Sequence, residues 1–61
     1  MEQLTEKELM ALNELLGEEE LLIKKFEMLS NQSQDQGVKS KFMDISKKHK
    51  EHFTSLYEQL K

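Results

Sequence analysis

The sequence predicts an all-α protein: an antiparallel two-helix hairpin that dimerises into a four-helix bundle. Three observations predict it. Apolar residues recur at steps of three and four along two long segments. One short polar, turn-forming stretch separates those segments. No proline occurs anywhere to break either pattern. At 61 residues the chain is expected to form one domain, 1–61, with a helix over 6–31, a loop over 32–35 and a helix over 36–60.

The first helix opens on a capping box. Thr5 stands at the N-cap position with Glu8 three residues on, and Leu4 and Leu9 are spaced as a hydrophobic staple. Beyond it Leu9, Leu12, Leu15, Leu16, Leu22, Ile23, Phe26 and Leu29 form one helical stripe. Gly17 interrupts the helix at a cost of up to ~1 kcal/mol against Ala. It either lets another helix approach closely or sits on the outer face.

Residues 30–37 (SNQSQDQG) are the only polar, turn-forming stretch, and Asp35 is placed to cap the second helix. Val38, Phe42, Ile45, His49, His52 and Leu56 then step by three and four, ending at Gln59 or Leu60. Phe26 and Ile45, central in their stripes, are expected to be core. Met10, Leu21 and Met28 lie off the first stripe, and Phe53 and Tyr57 flank the second.

Those extra apolar residues are the reason to expect a dimer. A chain this short buries only about 60% of the surface its unfolded form exposes, so it usually needs a staple or a partner. The absence of cysteine excludes disulfides and cysteine-ligated zinc. Two hairpins packed together would enclose the core that one hairpin lacks.

Charge narrows the partners. Residues 1–32 carry eight acidic residues against three lysines, and residues 33–61 carry four against six, with no arginine. Such a division suits two helices lying side by side. It argues against nucleic acid, which selects a strongly basic surface. The cluster Lys47, Lys48 and Lys50 reads as a solvated helix face. No apolar run approaches a membrane span and no signal-peptide pattern opens the chain, so cytoplasmic synthesis without a membrane partner is expected.

Polar residues break the stripes at three places. Glu19 stands where the first stripe calls for an apolar side chain, and His49 and His52 occupy successive positions of the second. Folding the hairpin about residues 33 and 34 brings Glu19 opposite residue 48 or 49, with His52 one turn away. A buried carboxylate and two imidazoles need partners, because isolated buried charge is costly. One answer is a metal: two His from one helix face and a carboxylate from the facing helix suit Zn²⁺ or Fe²⁺, with Glu19, His49 and His52 as ligands. Another is a Glu19–His49 pair that fixes register. In a third, one or both histidines reach solvent at the seam edge. No cysteine nucleophile, supported triad or phosphate loop suggests an enzyme.

Leu4-Thr5-x-Lys7-Glu8-Leu9, Glu19 followed by Leu22-Ile23-Lys24-Lys25-Phe26, Asp35, His49-x-x-His52 and Leu56 together resemble the short spore coat proteins of the coat F type. The resemblance runs from about Leu4 to Leu60. It implies a ferritin-like four-helix bundle made from two hairpins and a structural or assembly role in the spore coat, with other coat proteins as partners. The alternative it leaves is a small ferritin-like metal-binding protein. Ferritin-like carboxylate proteins carry a Glu on one helix and Glu-x-x-His on the next. Here Glu19 matches the first and His52 the last, while His49 replaces the second Glu. That departure argues against di-iron chemistry.

Overall fold

A computed structural model of the chain describes residues 3–61, so the first two residues of the expected domain 1–61 lie outside the described residues. Two helices, α1 (Glu6–Gln32) and α2 (Gln36–Glu58), lie side by side as an antiparallel hairpin. The Cα trace measures 46 × 17 × 11 Å, a slab one helix thick.

Local chemistry sets the helix ends. At the start of α1 the Glu8 N–H donates to Thr5 Oγ1 at 3.0 Å, and the Thr5 N–H donates to Glu8 Oε1 at 2.9 Å. The box satisfies two of the donors that a helix start leaves unpaired. The Thr5 backbone N–H, and then its hydroxyl, hold the Glu8 carboxyl below its ordinary pKa. Leu4 and Leu9, the expected staple, are both exposed.

α1 runs one residue beyond the expected end. Ser33 closes it, donating its N–H to the Ser30 carbonyl at 3.2 Å and its hydroxyl to the Leu29 carbonyl at 2.7 Å. The connection shrinks accordingly to residues 33–35. Asp35 caps α2 by accepting the Val38 N–H at 2.9 Å. α2 ends at Glu58, two residues before the expected 60. There the backbone tightens: the Gln59 N–H donates to the Leu56 carbonyl at 3.1 Å and the Leu60 N–H to the Tyr57 carbonyl at 2.9 Å. Such i→i+3 bonds commonly finish a helix.

Two serines sit at the centre of the seam between the helices. Ser30 and Ser46 are fully buried, and among the described hydrophobic residues only Leu16 is buried. The Ser30 hydroxyl donates to the Lys39 carbonyl at 3.0 Å, and the Ser46 hydroxyl donates to the Ile23 carbonyl at 3.4 Å. Small side chains let the backbones approach, and each hydroxyl finds a partner on the opposite helix. Ser30 thus belongs to the helix interface, not to the polar stretch in which its sequence neighbours place it.

Phe26 and Ile45 are only half-buried, not core. The reason is geometric: a two-helix slab has one seam, and a ring at its edge keeps one side open. Phe26 meets Phe42 with ring centroids 6.0 Å apart. Gly17 faces away from α2, and a Cβ there would meet nothing within 4 Å. It therefore does not serve contact with α2. Met10, Leu21, Met28 and Tyr57 are exposed. No described helix is long and apolar enough to cross a membrane.

Candidate metal site at the broken stripe

α1 supplies Glu19 from the middle of its inner face. α2 supplies His49 and His52, one helical turn apart and therefore on one face. His49 Nδ1 lies 2.6 Å from Glu19 Oε1, and His52 Nδ1 lies 3.4 Å from Glu19 Oε2. An ionised carboxylate only accepts, so His49 donates Nδ1–H in the shorter contact. One carboxylate oxygen accepts from His49, and the other only approaches His52.

Aromatic packing holds this arrangement. The His49 ring stacks on Phe26 with centroids 5.6 Å apart and planes 14° from parallel. The His52 ring stands edge-on to His49 at 5.4 Å. Glu19 and His49 keep 18% and 19% of their side-chain surface exposed, whereas His52 keeps 57%. The site is thus closed on the Phe26 side and open at His52. On the other flank of the seam, Lys50 Nζ pairs with Glu27 Oε2 at 2.9 Å.

The structure brings together all three residues singled out by the broken stripes. One ligating atom from each lies within 4.8 Å of the others. Four-coordinate zinc at about 2.0–2.1 Å places neighbouring donors roughly 3.3 Å apart. The two contacts to Glu19 use different carboxylate oxygens, and with one donor per residue the three ligating atoms lie within 4.8 Å, so binding would draw them together by up to about 1.5 Å. Metal would replace the proton that His49 donates to Glu19. Two nitrogens and one oxygen form an intermediate donor set, suited to Zn²⁺ and Fe²⁺ and poorly suited to Ca²⁺ or Mg²⁺.

Two contributors escaped the sequence reading. Phe26 was read as core, yet it acts as the platform on which His49 stacks. Its aromatic character, two stripe positions beyond Glu19, was the available signal. Ser46 lies three residues before His49 and brings the helices close enough for one carboxylate to reach both imidazoles. Nothing in its sequence context distinguishes it from a solvent-facing serine.

No protein-family model matches the chain, and neither a curated protein nor a solved structure matches it significantly. The likeness to coat F proteins therefore rests on the sequence motifs alone.

Proposed function

We propose that this hairpin is a non-enzymatic assembly element, covered along one flank of its seam by a second copy to form a four-helix bundle. One observation carries the reading: the hairpin leaves its own apolar stripes unfilled, with Leu16 the sole buried hydrophobic residue among those described. Leu15, Leu22 and Leu29 recur every seven residues on α1, and Val38, Ile45 and His52 do so on α2. At about 100° per residue a seven-residue step drifts by only about 20°, so each series climbs one flank of its helix. Both series share the flank on which Glu19 meets His52. Leu15 and Val38 are exposed there, and Leu22 and Ile45 are half-exposed. The opposite flank is ion-paired by Glu27 and Lys50.

A second copy on the apolar flank makes a ferritin-like bundle and supplies the core that a chain of this length lacks. The coat F resemblance gives this assembly a place, the spore coat, and other coat proteins as neighbours. Sedimentation at micromolar concentration tests the reading. A species of at least two chains is expected, and a folded 7.2 kDa monomer overturns it.

The geometry of Glu19, His49 and His52 favours a second reading in which the same protein binds one Zn²⁺ or Fe²⁺ per hairpin. Such an ion would clip α1 to α2 in a chain that has no disulfide. In the dimer, His52 would lie beneath the second copy and two such sites would share one core. Elemental analysis of untagged protein tests this directly, with one ion per chain expected.

A further inference from the structure

The back of α1 carries a second apolar line, separate from both the seam and its apolar flank. Met10, Gly17, Leu21 and Met28 follow one another at intervals of seven, four and seven residues. At about 100° per residue they fall within about 40° of one another, on the side of α1 turned away from α2. Met10 and Leu21 are each 69% exposed, the largest values among the exposed large hydrophobic residues, and Met28 is 49% exposed. The space outside Gly17 is open.

We infer that this line is a self-complementary interface for a second copy of the chain, formed by two α1 helices packed antiparallel, back to back. The order of the residues selects that arrangement. Reversing α1 about the level of residue 19 puts Met10 against Met28 of the second copy. It also sets Leu21 over Gly17 of the second copy, where the missing Cβ leaves a hole for the leucine. The same operation repeats both contacts, as a twofold interface requires.

Charge supports the same occupant. Glu14 and Lys25 lie on one edge of the line, about 20° apart around the helix. A twofold reversal keeps that edge on the same side and brings Glu14 within one residue, about 1.5 Å of rise, of Lys25 of the second copy. On the other edge Asn13 comes equally near Lys24. Among the described residues neither Glu14 nor Lys25 is in an ion pair within the chain.

With the seam flank, this gives each hairpin two self-complementary faces pointing in different directions. One twofold contact alone closes as a dimer. Two different twofold contacts on one chain build assemblies larger than a dimer, closing as a tetramer where the axes cross at right angles and extending as a row where they do not intersect. The inference goes beyond the bundle proposed above, and the two faces are tested separately.

The experiment compares sedimentation and thermal unfolding of the native chain, Leu15→Glu, Gly17→Leu and the combined variant. Leu15 lies on the seam flank and Gly17 on the back of α1. Gly17→Leu fills open space and replaces a poor helix former, so its unfolding midpoint is expected to stay level or rise. The native chain is expected to exceed a dimer, each single variant to stop at a dimer, and the combined variant to be monomeric. Glu14→Lys and Lys25→Glu are each expected to weaken growth at least tenfold, and the double charge swap to restore it. Gly17→Leu assembling like the native chain overturns the inference, as does a charge swap without rescue. If Leu15→Glu alone has no effect while Gly17→Leu leaves monomers, the back contact stands and the bundle reading fails.

Discussion

Glu19 of α1 and His49 of α2 meet at 2.6 Å, thirty residues apart in the chain, at the level where both apolar stripes are interrupted. The second carboxylate oxygen lies 3.4 Å from His52 Nδ1, too long and poorly directed for a hydrogen bond, so Glu19 grips His49 and only approaches His52. Phe26 fixes the His49 ring from behind. The contact couples the register of the two helices to the chemistry of the site.

Removing the carboxylate should therefore affect both stability and metal binding. Glu19→Gln keeps the shape and one acceptor but loses the charge. It is expected to destabilise the hairpin by about 1.5–3 kcal/mol, the range for a hydrogen bond to a charged group. Chemical denaturation in the presence of a chelator measures this loss without any metal contribution.

Zinc should raise the unfolding midpoint of the native chain in proportion to the logarithm of free metal. At a hundredfold excess over the dissociation constant, the stabilisation is about 2.7 kcal/mol. His52→Gln alters the side chain that makes no hydrogen bond to Glu19 and should lower the metal-free midpoint less than Glu19→Gln does, while reducing the zinc response. Calorimetric scans with zinc and with chelator check both statements. A zinc response that survives in His52→Gln and Glu19→Gln alike would place the ion elsewhere.

Ser46 should respond to size more than to polarity. Ser46→Ala loses the donation to the Ile23 carbonyl and should cost about 1 kcal/mol. Ser46→Leu forces the backbones apart and should cost about 3 kcal/mol, beyond the polar loss. Equilibrium denaturation of the two variants ranks them. A milder effect from leucine than from alanine would mean that the close approach of the helices does not matter.

Phe26→Ala is expected to cost about 3 kcal/mol, the lower end for a buried phenylalanine, because the ring is half-exposed in the hairpin. Lys47→Ala on the outer face should change stability by less than ~0.5 kcal/mol. Equal effects would contradict the burial pattern along α1 and α2.

The capping box predicts an acid dependence of known sign. Glu8 is held below its ordinary pKa by Thr5, so the folded state favours its ionised form. Its contribution is full above the unfolded value of about 4.3 and is lost as pH falls through the lower folded value. The thermal midpoint of the native chain should decline through that acidic window, and Glu8→Gln should decline less. Circular dichroism melts at a series of acidic pH values compare the two. Parallel curves would exclude a role for Glu8 in the acid response.

Much of this architecture is legible without coordinates because its causes are local. Thr5 and Glu8 announce a helix start within four residues, and Asp35 announces another. The stripe spacing requires helices, and the absence of proline lets them run. Even the meeting of Glu19 with His49 and His52 was readable, because a short loop between two regular helices leaves little freedom of register. The last turn of α2 was not, since whether a chain finishes in α or tighter i→i+3 bonds depends on small local differences.

What only the tertiary structure decided is which residues the seam closes over. The sequence ranks side chains by hydrophobicity and so points to Phe26 and Ile45 as the centre. The folded hairpin instead buries Ser30 and Ser46, because at the centre of the seam the space admits only a small side chain, and each hydroxyl can donate to a carbonyl across the gap. Gly17 illustrates the same limit. By itself it was equally a site of close approach or a tolerated gap, and only the path of α2, which passes along the other side of α1, shows that the hairpin does not use it. Periodicity determines which residues share a face, but the depth of each face depends on what packs against it.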